Sequence, residues 1–424
     1  MSDMSSMSRE RKKDQLRRQM ISTERENARN FQEQQADENI ENLRRARKKA
    51  RRRRLLLFLI LLAVAAAAGF GIYQYFVFHQ YTSYTDVWET AVAEGADAQY
   101  MAFGDNVLKY SKDGASYIDD QGKTVWMQSY EMKSPIASVN GNYAVIADRQ
   151  GNTMYICSKD GPQGTASTVL PIVKAAVAGN GITAAILEDS RASYIQYYAK
   201  DGSDMQVMVK SVLSGDGYPI DIGLSPDGTQ LIVSFAYLAQ GELSQRVVIY
   251  DFSEIGKNEN HIVGGFDDEF KGSLAARVVY PNSETACAFA DDSITFFSTR
   301  NLADIAVTKQ IRIEETVESV FYSDEYAGLI LQNTMGSAPY RLDIYRLNGE
   351  LVFSRDLDYQ YQEAAISGQW VILWNEDSCQ VYNMRGVEKF SGELDMEPDI
   401  IVAGRYPDTL IVTGQQTMKE IKLK

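Results

Sequence analysis

A short β-strand pattern recurs along this sequence, each copy ending in an apolar or aromatic pair, polar residues and a turn. It reads SYIDDQG at 116–122, TMYICSKDG at 153–161, SYIQYYAKDG at 193–202 and RVVIYDFSEIG at 246–256, then SITFFSTRN at 293–301, RLDIYRLNG at 341–349 and SCQVYNMRG at 378–386. From Gly122 to Gly386 the six intervals average 44 residues. A unit of that length holds four strands and their turns, which is one propeller blade, whereas a two-sheet sandwich sets no fixed period. With TMKEIKLK at 417–424 there are eight units. The fold class expected is therefore all-β, a β-propeller with eight blades, or seven if 107–126 has been over-divided. The last unit lacks its outer strand, so a strand from the start of the body, near 87–92, is expected to close the ring and hide two edges.

Two further signals keep the same register. Gly122 precedes Trp126, Gly349 precedes Phe353 and Gly386 precedes Phe390, each aromatic four residues after its turn glycine. Glycine permits the positive φ of a tight hairpin, and the fourth position turns the ring toward one sheet face, where it can fill the space between blades. Turns of the form x-Pro-Asp/Asn occur at Pro226, Pro281 and Pro407 and precede alternating apolar runs. Proline presets φ for the second position of such a turn.

Charge divides the chain into three parts. Residues 1–54 hold 17 basic and 9 acidic side chains, residues 55–85 hold none, and residues 86–424 hold 26 basic and 48 acidic, a net of -22. Residues 55–78 are uncharged and largely Leu, Ile, Phe, Val and Ala; as a helix they span about 36 Å, enough for roughly 30 Å of hydrocarbon. The flank 44–54 carries nine Lys or Arg, which places it on the cytoplasmic side and the body outside the cytoplasm. Tyr73, Tyr75, Phe76, Phe78, Tyr81 and Tyr84 are expected to form an aromatic belt at the far interface, with His79 among them as an interfacial side chain. A cleaved signal peptide is the competing reading of the small residues 65–68, but the 54 residues before the apolar run exceed an ordinary signal n-region.

The organisation expected is a basic cytoplasmic tail (1–54), a transmembrane helix (55–78), a juxtamembrane linker with the candidate closing strand (79–96) and a propeller (97–424). Thr23 and Glu26 fit a capping box, whereas the apolar residues of the tail hold no heptad register. The Arg/Lys cluster 44–54 is a topogenic signal and a candidate contact for anionic lipid. An acidic body repels phosphate backbones, so no nucleic-acid partner is expected.

On these residues the chain resembles known repeats. The Gly-x-x-x-Trp/Phe turns look like those of quinoprotein-type (PQQ-like) eight-bladed propellers, and Ser225-Pro226-Asp227-Gly228 with Tyr250-Asp251 looks like WD40-type blades. The whole layout from about residue 44 onward resembles an uncharacterised family of bacterial single-pass membrane-anchored propeller proteins. Only one repeat keeps Trp at the docking position, and none has the Gly-His and Trp-Asp pair of WD40 blades.

Little in the body reads as catalytic. Its single histidine, His261, supplies neither a triad nor a multi-histidine metal site and reads as a solvated loop residue. Cys157, Cys287 and Cys379 lie on apolar strand patterns with no Cys-x-x-Cys, as buried free thiols do. Gly179, Gly181 and Ala184 match a dinucleotide fingerprint, but a strand pattern follows and no helix N-terminus is offered to a pyrophosphate. Asp119-Asp120 and Asp291-Asp292 read as turn acids. The expectation is a non-enzyme without cofactor or metal, anchored in the membrane and binding a protein or cell-envelope component. Phe266, Asp267, Asp268, Glu269 and Phe270 are the candidate partner-binding residues, two aromatic anchors around three acids in a long interval between repeats. The alternative is an envelope enzyme or quinoprotein-like cofactor protein using carboxylates in the central channel. A signal-sensing module is a third reading.

Overall fold

The computed structural model describes residues 51–92, 97–239, 241–302, 304–334 and 336–424, together with 17, 20, 23, 24, 29 and 47–49. Most of the tail, including Glu26 of the capping box, lies outside the described residues. The chain forms two compact units, Met1–Val77 and Phe78–Lys424. In the first, one helix, Arg47–Phe78, is long and apolar enough to cross a membrane. Its apolar side chains from Leu55 to Phe76 are exposed.

The second unit is an eight-bladed propeller, each blade a four-stranded antiparallel sheet. Blades 1 to 7 are meanders over 99–129, 135–167, 172–212, 218–266, 275–312, 317–357 and 363–393. Blade 8 takes three strands from 400–423 and its outer strand, Tyr84–Ala91, from the start of the body. The recurring strand pattern falls on third strands and the turns after them, the docking aromatics on the fourth strands that follow, and the x-Pro-Asp/Asn turns between first and second strands. First strands of neighbouring blades touch one another, so they line the axis.

Alternation within each strand sends one set of side chains to each neighbouring blade, and seven hydrophobic clusters fill the spaces between blades. The docking aromatics do what their spacing implies. Trp126 packs across the first two blades with Ala144, Ile146 and Cys157, Phe353 packs against Val371 and Leu373 of blade 7, and Phe390 packs with blade 8. Gly122, Gly349 and Gly386 take φ of +76°, +80° and +71°.

The closing strand runs antiparallel to Thr417–Leu423, starting slightly earlier than 87–92, with Tyr84 opposite Leu423 and Ala91 opposite Thr417. Its side chains are locked as well as its backbone. The Lys419 ammonium, almost fully buried, pairs with Asp395 and lies 3.5 Å from Asp86, while the Trp88 indole N–H donates to Glu420 at 3.0 Å. Tyr81 and Tyr84, expected in an interfacial belt, belong instead to the propeller, where both pack on the cluster joining blades 7 and 8. The Tyr81 N–H donates to the Lys389 carbonyl at 2.7 Å, and the buried Lys389 ammonium donates to the His79 carbonyl.

Candidate functional site

Because strands alternate in direction, the ring has two unlike ends. One carries the turns between first and second and between third and fourth strands; the other carries second-to-third hairpins and the connections between blades. The chain enters at the first end, since residues 79–83 run beside Lys389 and Lys424.

At this first end the x-Pro-Asp turn is held by its own side chains. Asp227 accepts from the Ser225 hydroxyl at 2.6 Å and from the Thr229 hydroxyl at 2.9 Å, and Gly228 takes φ +73°. A cavity of about 250 Å³ opens on the axis, lined by Asn140, Val177, Leu224, Val279, Tyr322 and Asp324 among others. Asp324 is the one carboxylate in its lining. Among the described residues no group of three or more His, Cys, Asp and Glu is placed to hold a metal ion. The buried Asp221 near the axis is committed to structure: it pairs with Lys174 of blade 3 and accepts the Val278 N–H of blade 5 at 2.7 Å.

The histidine and thiols are placed by packing. His261 is half-buried rather than solvated, its Nδ1 2.9 Å from the Asp251 carbonyl and its ring 5.1 Å from that of Phe252. All three cysteines are free and buried. Burial pushes the Cys157 and Cys379 thiols up to about 12 and that of Cys287 higher still. A raised folded-state pKa means stability that is complete below the unfolded value and is lost as pH rises toward the folded one. Ellman's reagent at pH 8 is therefore expected to find no reactive thiol in the native protein and all three in urea, with the fold weakening above about pH 9. Rapid native labelling would contradict this burial.

The second end carries the segment singled out in the sequence, and here the expectation needs correcting. Phe266 ends the outer strand of blade 4 (Ile262–Phe266), and Phe270 ends a short 3-10 turn, Asp268–Phe270. Both rings point inward, with exposures of 8% and 0%. They pack on the fully buried Phe297 of blade 5 at centroid distances of 4.6 and 6.5 Å. The connection crosses from rim to axis over the seam between blades 4 and 5, and its aromatics seal that seam. They are core residues and cannot anchor a partner. Asp267 and Asp268 are exposed and Glu269 is half-exposed. Asp267 accepts from the Tyr237 hydroxyl at 3.1 Å and pairs with Arg246 at 3.2 Å; the Glu269 carbonyl accepts from Gln310 at 2.8 Å.

What the sequence reading passed over stands beside this segment. The second and third strands of blade 4, Gln230–Ala239 and Glu242–Asp251, are each 10 residues long, while the second strands of the other blades have 5 to 7. The 54-residue interval from Gly202 to Gly256 was the available signal. The excess forms a hairpin projecting from the second end, with Leu238 opposite Leu243. These two are 75% and 64% exposed. Carboxylates far outnumber basic groups in the loops of this end, where Asp189, Asp216, Asp268, Asp291, Glu314 and Asp377 all lie.

Residues 78–423 match the family described as "Family of unknown function (DUF5711)". No curated protein matches the sequence. Among solved structures the chain is similar to Sqt1 of Chaetomium thermophilum, at 10% identity and a TM-score of 0.50 over 81% of this chain and 98% of that one. It is also similar to AztD of Citrobacter koseri, at 9% identity and a TM-score of 0.50 over 74% and 95%. A third likeness is to the Pan2 WD40 domain of Neurospora crassa, at 10% identity and a TM-score of 0.41 over 81% and 97%. At such identities the likeness is one of fold alone.

Proposed function

We propose that this chain, which belongs to the DUF5711 family of unknown function, is a membrane-anchored extracytoplasmic propeller that binds a protein or cell-envelope component without catalysing a reaction. The observation that carries this reading is the contrast between the two ends of the ring. The chain enters at one end, and the other presents connections rich in carboxylates around a projecting apolar hairpin. Binding surfaces on propellers come from such loops, held by a scaffold that changes little.

Anchoring rests on the apolar helix Arg47–Phe78 and on the nine Lys or Arg in 44–54, which keep their flank in the cytoplasm and can contact anionic lipid there. The bacterial origin suggested by the whole layout and the PQQ-like character suggested by the repeats are part of the same proposal. The alternative, an enzyme or cofactor protein built on channel carboxylates, gains no support from an axial cavity with one carboxylate in its lining.

Topology supplies the test. Protease added to intact spheroplasts is expected to cut loops of the body and to spare an epitope fused to the tail. Detergent should then make the tail cleavable too. A body protected until detergent is added would reject the extracytoplasmic placement.

A further inference from the structure

The projecting hairpin of blade 4 is an unpartnered piece of sheet. The first strand of the blade pairs with the hairpin only as far as Ala236, and the fourth pairs only from Val247 onward. Beyond these points no described strand continues the ladder on either edge, leaving Tyr237–Ala239 paired with Glu242–Ser244 as a two-stranded ribbon, above Gln245 and Arg246, whose partners Ala236 and Phe235 still pair with the first strand. Ribbons of this kind are ordinarily marginal in water, yet both faces of this one are braced at the base. On the face toward blade 5, the Gln245 amide donates to the Ala275 carbonyl at 2.9 Å, and the Ser234 hydroxyl donates to the same oxygen at 2.7 Å. On the other face the Arg246 guanidinium stacks 4.2 Å from the Tyr237 ring centroid and pairs with Asp267.

What this bracing presents is apolar. Leu238 and Leu243 alternate onto the face toward blade 5, two rungs beyond the pair Ala236 and Gln245 on that same face. Leu274, also exposed, precedes the Ala275 that Gln245 holds, so it lies at the foot of the leucine pair. Around this patch the charge is acidic: Glu242 on the ribbon, Asp268 and Glu269 beside its base, and Asp291, which accepts the Leu274 N–H at 2.8 Å. An exposed flat edge with apolar side chains is ordinarily blunted by lysine or proline, and here the described ribbon residues include neither.

From this juxtaposition we infer that the blade 4 hairpin is a docking edge for an extended, basic polypeptide segment with alternating apolar residues, which adds to the ribbon as a further strand. Its main chain would pair with the free edge, its apolar side chains would cover Leu238 and Leu243, and its Lys or Arg side chains would meet Glu242, Asp268 and Glu269. The inference rests on the binding-platform reading and names the surface and the chemistry of its partner.

The test uses the full chain in detergent micelles and three short fluorescent peptides, with alternating Leu-Lys, Leu-Glu and Gly-Lys. The Leu-Lys peptide is expected to bind, with affinity falling as salt is raised, and the other two are not. Leu238→Ser with Leu243→Ser should weaken binding by about tenfold or more, because central apolar anchors carry most of the affinity at such surfaces. Both leucines are exposed, so this variant keeps its fold, which circular dichroism checks. Glu242→Gln with Asp268→Asn should flatten the salt dependence. Unchanged affinity in the leucine variant, or equal binding of the Gly-Lys or Leu-Glu peptide, would overturn the proposal. So would self-association of the full chain that the leucine variant abolishes, since a second copy would then cover the edge, or binding of the hairpin to anionic vesicles, since the occupant would then be a bilayer. Protease accessibility is read separately. No peptide binding by an exposed body rejects this edge and leaves the anchored platform standing, whereas a protected body rejects the platform's placement whatever the peptides do.

Discussion

A body that begins at Asp97 is expected to aggregate, or to lose about 4 kcal/mol or more relative to one that begins at Phe78, because it lacks the strand that closes the ring. The truncation removes Tyr84–Ala91 and with it the whole outer edge of blade 8. Seven paired residues of Thr417–Leu423 lose their partners, leaving an edge ready to pair with another chain. Tyr81, Tyr84, Trp88 and Val92 also leave the largest of the inter-blade clusters, uncovering apolar surface around Met418 and Ile421. Lys419 loses Asp86, and Glu420 loses the Trp88 indole. Light scattering and urea unfolding of the two fragments measure the difference. A monomeric 97–424 fragment with the same urea midpoint would show that these contacts contribute nothing to closure.

Replacing Phe266 and Phe270 by Ala is expected to cost about 3–5 kcal/mol at each site, less any coupling through their shared neighbour Phe297. The loss would be a large part of the roughly 5–15 kcal/mol that holds an ordinary domain together. Both rings fill the space between blades 4 and 5, and the cavity left behind is bounded by strands that cannot close on it without moving a blade. Reading the segment as a surface loop with aromatic anchors leads to the opposite expectation, an intact fold and a weakened partner. The two are separated by urea unfolding followed through tryptophan fluorescence. A midpoint unchanged in the double variant would return the phenylalanines to the surface. Replacing the exposed Asp268 by Asn should change the stability by less than about 0.5 kcal/mol, as surface changes do.

The error over these two rings has a physical source. A phenylalanine beside acids in a connection has the same local sequence whether it faces solvent or the adjoining blade, because the deciding neighbour, Phe297, lies some 30 residues further along the chain. Trp126, Phe353 and Phe390 were legible for the contrary reason. Each follows a turn glycine by a fixed count, and the hairpin geometry alone orients the ring. His261 resembled a free loop residue because its partners, the Asp251 carbonyl and the Phe252 ring, meet it only once the turn folds back. The blade 4 hairpin left a trace in the length of its interval, but nothing local said that the excess would stand clear of the ring.

What the sequence by itself determined is whatever repeats or is continuous: the all-β class, eight units near a 44-residue period, the docking aromatics, an uncharged 24-residue stretch and the opposite charges on either side of it. Periodicity and turn chemistry act within a few residues, so they survive without knowledge of the fold. Only the tertiary structure decided the register and side-chain locks of the closing strand, which aromatics of a connection are buried, and which stretch of sheet remains without a partner. Those outcomes depend on pairings between residues far apart in the chain, as between Trp88 and Glu420, and no local pattern encodes them.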